Sequence, residues 1–177
     1  GADAGITAAP TTYDELKADL DKVKAKGTAA DFSAMYLPGQ YWYAGMQWVW
    51  DAGGDIATFS GGKWSAGFSS AKAQQGLSEW KTFQNTYSSK ASQTLNTDKP
   101  DQDQIFADGK AGAIIANSWE IGVIQKDNPK LTNDVLGAFP MPGTSGKNQP
   151  VSLGGSDWGI AAKSQNQDLA RVWVKIA

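Results

Sequence analysis

The chain has 177 residues, enough to bury the core of one domain or of a domain and a half. A formal net charge of -2, a pI near 5.0 and the lack of any basic run leave out the electrostatic footprint of a nucleic-acid binder. With no cysteine and no histidine, thiol nucleophiles, thiolate or imidazole metal sites, and every Ser-His-Asp or Cys-His arrangement are excluded.

The first element predicted is a helix over "PTTYDELKADLDKVKAKG". Thr12 and Glu15 form a T-x-x-E capping box, Leu16, Leu20 and Val23 make one apolar stripe, and Gly27 ends it. After a Pro-Gly turn, "YWYAGMQWVWDAGGD" predicts a helix from about Trp42 to Ala52. It would bury Trp48 with Ala44 or Ala52 and leave one of Tyr41, Trp42 and Tyr43 at its exposed start. A short hairpin or loop is expected around Gly61-Gly62. A helix over roughly 71 to 88 follows, capped by Ser69 or Ser70 and burying Leu77, Trp80, Phe83 and Tyr87.

"SSKASQTLNTDKPDQDQ" reads as a polar loop leading into a short helix, "QIFADGK", that Gly109 ends. "AGAIIA" is expected as a buried strand, with "NSWEIGVIQK" opening a helix behind it. A short strand is expected in "DVLGAFP" and another after the Gly-rich turn of "LGGSDWGIAAKS". Ser164 and Gln167 then suggest a second capping box, for a helix carrying Leu169, Val172, Trp173 and Ile176. The alternation of helices and short strands predicts an α/β sandwich with a mixed or parallel sheet. The chain opens without an initiator methionine and stops inside an amphipathic helix, so a piece of a longer protein is expected.

Function must rest on carboxylates, amides, hydroxyls, backbone and rings. No apolar run approaches the roughly 18 residues of a membrane span, and no signal segment opens the chain. The absence of cysteine leaves the compartment open. Eight tryptophans, five tyrosines and six phenylalanines are many for an ordinary hydrophobic fraction, so aromatics are over-supplied relative to aliphatics.

Three chemical motifs are weak. A calcium loop starting at Asp101 would put Ile105 and Phe106 where a ligand and the turn glycine belong, and Gly112 in place of the bidentate Glu. A solvated loop is the better reading. Asp51, Asp55, Glu120 and Asp157 are candidates for the paired carboxylates of a glycosidase, but nothing in the sequence sets any two at a working distance. The "SGG" and "LGGSD" steps lack the setting of a phosphate loop.

Trp119 is the sharpest case. With Asn117 as N-cap, Glu120 can close an N-x-x-E capping box, which sets Trp119 in the first turn of a helix beyond the carboxyl end of a strand. Ligands of open α/β sheets bind at that edge, and an indole offers both a flat apolar face and an N–H donor. On position alone Trp119 either meets a ligand or packs between layers, as expected of Trp48, Trp80 and Trp173.

Four phrases in order carry a resemblance: "AGITAAPTTYDELKADLDKVKAKG", "WVWDAGGD", "IFADGKAGAIIANSWEIGVI" and "GAFPMPGTSG…SLGGSDWGIAAKSQNQDLARVW". Together they resemble the extracellular solute-binding proteins of bacterial ABC-type carbohydrate importers, maltose-binding-protein-like and of the type II periplasmic-binding-protein fold, over nearly the whole chain. The resemblance implies two α/β lobes closing on a sugar. Residues 1–134 would form the second lobe, and residues 135–177 two crossover strands and a helix belonging to the first. It implies a ligand site of Trp119, Tyr41, Trp42, Tyr43, Gly155, Ser156 and Asp157, with no cofactor, no metal and no catalytic residue. It also implies a carbohydrate ligand, membrane permease subunits as partners, a monomer, and an extracellular or periplasmic location with a lipid anchor. The alternative is a carbohydrate-active enzyme, a glycoside hydrolase using two of the carboxylates.

Overall fold

The computed structural model describes residues 2–177. Helix α1, Tyr13–Lys26, is closed at its start by the predicted capping box: Glu15 N donates to Thr12 Oγ1 at 3.1 Å and Thr12 N donates to the Glu15 carboxylate at 3.2 Å. Leu16 and Leu20 face inward with Tyr13, and the Gly27 N–H caps the Val23 carbonyl.

Helix α2, Trp42–Asp51, and helix α3, Ala71–Tyr87, make the main packing pair, with Ser70 capping α3 through Ala73 N at 3.1 Å. Their backbones approach closely at Gly76, where a Cβ would lie 2.6 Å from Val49 Cα. Trp48 is buried against Phe83, with ring centroids 5.2 Å apart, and Ala44, Phe83 and Tyr87 complete the core over α1. Leu77 and Trp80 pack at its margin and are only partly covered. The Trp48 indole N–H donates to the Tyr13 hydroxyl at 3.1 Å, and that hydroxyl donates to Glu79 at 2.9 Å, so one polar chain links α2, α1 and α3. Burial raises the Tyr13 phenol far above the ordinary value.

The segment entering α2 is held by a second buried polar set. Leu37 N donates to Ser88 Oγ at 2.9 Å, Gln84 Nε2 to the Leu37 carbonyl at 3.2 Å and to Ser92 Oγ at 3.0 Å. The region expected to be all loop therefore contains a 3-10 helix, Lys90–Thr94, whose Ser92 is fully buried.

The predicted hairpin forms as β1, Ala57–Ser60, and β2, Lys63–Ala66, antiparallel, with Phe59 opposite Trp64. Gly61 and Gly62 turn it at φ of 59° and 78°, values that glycine reaches without strain. The chain at 111–116 runs extended and parallel to 33–36, with bridges Ser33–Ala111 and Tyr36–Ile114. The buried strand expected over 111–116 is thus reduced to these two isolated bridges, and the sheet among the described residues is the two-stranded antiparallel hairpin, so the expected α/β class is present without the mixed or parallel sheet.

Four expectations fail in the last third. The stretches at 134–140 and 151–161 form no strand among the described residues. Neither gains a hydrogen-bonding neighbour strand, and Gly137, Gly154, Gly155 and Gly159 add no side chain to pack. The Ser164–Gln167 box also does not form. Gln167 Nε2 donates instead to the Ala162 carbonyl at 2.8 Å, Asn166 N donates to Ser164 Oγ at 3.2 Å, and helix α6 spans Gln167–Ile176. Its apolar stripe of Leu169, Val172, Trp173 and Ile176 is exposed, and Trp173 meets Trp158 edge-on at 4.9 Å instead of joining the core. No apolar face of the described residues covers α6.

Candidate functional site

Helix α4, Gln102–Ala107, and helix α5, Glu120–Asp127, pack on each other and position the residues of interest. The extended chain from 111 to 116 delivers the backbone to a turn at Asn117. There Glu120 N donates to the Asn117 carbonyl at 3.1 Å. The Glu120 carboxylate accepts from the Asn117 backbone N–H and, at 3.1 Å, from Asn117 Nδ2. Half of the expected box therefore forms. No helix N–H donates to the Asn117 side chain among the described residues, and α5 starts only at Glu120. Trp119 becomes the cap residue, and its indole is 66% exposed.

Glu120 itself is buried, and its second oxygen accepts from Gln102 Nε2 at 2.9 Å; the same amide reaches the Ile115 carbonyl at 3.0 Å. Asp103 lies against Glu120. Burial, then the hydrogen bond and charge of Glu120, with Asp101 and Asp127 adding, push its carboxyl up to about 7. The Tyr41 phenol borders the same cluster: burial first, then the charge of Glu120, pushes it up to about 12. Asp103 Oδ1 and Gln102 Oε1 are enclosed without a hydrogen-bond partner.

Gln102 and Asp103 are the residues that sequence reasoning missed. The acidic stretch before Ile105 was expected to be solvated, yet these side chains are only 3% and 4% exposed. Asp101 accepts from Asp103 N at 3.0 Å, so α4 begins two residues before the expected "QIFADGK" helix. An Asp followed three residues later by Gln, just before Ile105-Phe106, is the start signal that could have revealed it.

Of the three aromatics opening α2, Tyr41 turns inward while Trp42 and Tyr43 are about half exposed and stack on each other at 3.7 Å and 25°. Gly155, Ser156 and Asp157 lie exposed in the unpaired 151–161 segment, and no hydrogen bond joins them to Trp119 or Tyr41 among the described residues. Asp51 accepts from Thr144 N, Thr144 Oγ1 and Ser145 Oγ, each at 2.7 Å, and so fixes a loop. Two of the four candidate carboxylates, Asp51 and Glu120, are thus engaged as structural acceptors. No group of three or more acidic side chains suited to a metal ion occurs among the described residues.

A groove of about 440 Å³ runs between the extended 112–118 chain and residues 136–141, walled by Ile114, Ile121, Ile124, Leu136, Phe139 and Met141. None of the seven expected site residues lines it, although Asn117 and Ser118 form its rim. Its apolar walls suit packing better than a hydroxyl-rich ligand.

Residues 2–177 match the family model for bacterial extracellular solute-binding proteins. The chain belongs to that family. Members of it are binding proteins, which sets aside the glycosidase reading of the four carboxylates. This solute-binding protein is 38% identical over 177 residues to the diacetylchitobiose binding protein DasA of Streptomyces coelicolor, a match covering 99% of the chain and 40% of the relative. The chain therefore spans about two fifths of that relative's length. Its fold is similar to a cyclo/maltodextrin-binding protein complexed with maltotetraose, at 20% identity and a TM-score of 0.60, covering 82% of this chain and 36% of that one. It is also similar to an ABC transporter solute-binding protein from Thermotoga lettingae bound with alpha-D-tagatose, at 20% identity and a TM-score of 0.66, covering 98% and 44%. These two likenesses establish a periplasmic-binding-protein-like fold. No helix of the described residues is long and apolar enough to cross a membrane.

Proposed function

We propose that this solute-binding protein captures a carbohydrate between two lobes and delivers it to the permease subunits of an ABC importer. The observation that carries the reading is Trp119, a largely exposed indole at a helix start whose turn is fastened from below by Glu120. A sugar has weakly apolar faces and a rim of hydroxyls, so a presented ring with nearby amides suits it and no catalyst is required. The exposed Trp42–Tyr43 stack offers a second aromatic surface of the same kind.

In this reading residues 1–134 form the second lobe, and residues 135–177 cross to the first. The exposed apolar stripe of α6 is the face that packs there, and Gly155, Ser156 and Asp157 reach the ligand near the hinge once that crossing is made. The protein works as a monomer, held by a lipid anchor at the outer face of the cytoplasmic membrane. The relatives support a saccharide of one to a few rings, and an acetylated amino-sugar disaccharide is the first to test.

Calorimetric titration of the full-length protein against diacetylchitobiose, malto-oligosaccharides and tagatose tests the reading. Saturable binding without product formation is expected. Absence of heat with every sugar in the panel would sink it.

A further inference from the structure

The two exposed aromatic surfaces are joined by buried polar side chains. Tyr41 directly precedes the Trp42–Tyr43 stack, and Glu120 directly follows Trp119. Gln102 and Asp103, at the start of α4, fill the space between them, and the Tyr41 phenol feels the charges of both Glu120 and Asp103. The Glu120 carboxylate takes three N–H donors, one from α4 through Gln102 and two from the Asn117 turn that carries Trp119. That carboxylate is where α4 and the turn are fastened together.

Asp103 follows Gln102 at the start of α4, buried with Oδ1 enclosed and unpartnered among the described residues, and the charge and hydrogen bonding of Glu120 reach it. No salt bridge reaches Asp103 or Glu120 among the described residues. Two carboxyl groups this close in a water-poor place repel when both are charged, whereas one proton between them makes an O–H···O bond.

We propose that Glu120 and Asp103 are positioning residues of the sugar platform: Glu120 locks the turn that presents Trp119, and a proton on Asp103 keeps that lock closed. This rests on the reading of Trp119 as a sugar-stacking residue. The groups facing the pair are Asp101 on the α4 side, Asp127 on α5 and the Tyr41 phenol at the α2 start. Every carboxylate among them adds repulsion when Asp103 ionises. The phenol, pushed up to about 12, stays neutral throughout the range in which Asp103 titrates. As pH rises through about 7, Asp103 loses its proton, the pair repels, and the Trp119 turn loosens.

The test uses the full-length protein carrying this chain, with diacetylchitobiose as probe. Trp119 is read as the difference in emission between wild type and Trp119→Phe across about pH 6 to 8.5, a window that brackets the Asp103 transition. A change centred near pH 7 is expected, and Asp103→Asn, which mimics the protonated group, should remove it. Sugar affinity should weaken roughly fivefold or more over the same interval in wild type and stay flat in Asp103→Asn. Glu120→Gln should loosen Trp119 at every pH and abolish the pH response, an arm that stands even if Asp103→Asn folds poorly. A wild-type Trp119 signal that is flat across the interval overturns the proposal whether or not sugar binds. A Trp119 transition accompanied by pH-independent affinity supports the lock and overturns the stacking reading instead.

Discussion

Gln102 Nε2 lies 2.9 Å from Glu120 Oε1, a buried bond between residues 18 apart that ties the start of α4 to the start of α5. Removing the donor leaves a buried carboxylate oxygen without its partner. Gln102→Leu is therefore expected to destabilise the protein by about 1–3 kcal/mol, more than the loss of one hydrogen bond to solvent would suggest. Urea unfolding with an unchanged m-value checks this; a midpoint equal to wild type would mean that water replaces the amide.

The Trp48–Tyr13–Glu79 chain makes a comparable claim on the core. Tyr13→Phe keeps the ring beside Phe83, whose centroid is 5.8 Å away, but deletes the oxygen that accepts from the Trp48 indole at 3.1 Å. An orphaned buried N–H costs roughly 1–3 kcal/mol. Thermal unfolding of the variant should show a lower Tm, with near-ultraviolet dichroism retained because the packing of Trp48 on Phe83 persists.

Two glycines separate close approach from mere helix propensity. At Gly76 an added methyl would meet Val49 Cα at 2.6 Å, and two helix backbones cannot slide apart without opening the core, so Gly76→Ala should cost about 1–3 kcal/mol. Gly122 sits in α5 with nothing within 4 Å of such a methyl, and Gly122→Ala should stabilise by up to about 1 kcal/mol. Chemical denaturation of the pair should give shifts of opposite sign.

How far the sequence reveals this fold depends on whether a residue's partners are near in the chain. α1 was legible because Thr12, Glu15, Leu16 and Leu20 act within a few residues of one another, and the hairpin because Gly61-Gly62 sets its turn locally. Trp48 was legible as core because it lies in the middle of the mostly apolar run of α2, of which residues 44–49 are all buried. Trp173 was expected in the core from the amphipathic stripe of α6 and is exposed, since periodicity reports which face is apolar and not whether anything covers it. The strands expected near Ala138 and Ile160 needed a neighbouring strand, and pairing is a property of the assembled sheet. Gln102 and Asp103 were hidden for the opposite reason: a polar, aspartate-rich stretch reads as solvated unless the buried acceptor at Glu120 is already known.

Asp103 also gives stability a distinctive pH dependence. Its carboxyl is raised to about 7 in the folded protein, above the ordinary aspartate value near 4 in the unfolded chain. The folded state therefore binds more protons than the unfolded state between those values, and its stability falls as pH rises through that window. Above about 7 the loss is complete and the contribution levels off. Asp103→Asn, which carries no titrating proton, should be less pH-sensitive between about pH 4 and 7 when unfolding is followed by urea titration at fixed pH. A wild-type slope equal to that of the variant would place Asp103 outside the protonated cluster.

Trp119 offers the cleanest separation of binding from folding. Its indole is 66% exposed at the cap of α5, and the turn beneath it is held by Asn117 and Glu120 through bonds that do not involve the ring. Truncation should leave unfolding within about 0.5 kcal/mol of wild type, as for other surface changes. If the ring stacks on a sugar, Trp119→Ala should weaken binding by about 1–3 kcal/mol, roughly fivefold to more than a hundredfold in Kd, while Trp119→Phe keeps part of it by retaining an aromatic face. Trp173→Ala, on the apolar stripe of α6, should instead lower stability of the full-length protein with no change in the sugar contact itself. Calorimetric Kd values beside urea midpoints for the three variants decide the matter, and a Trp119→Ala protein that binds sugar as tightly as wild type would return this indole to an ordinary surface residue.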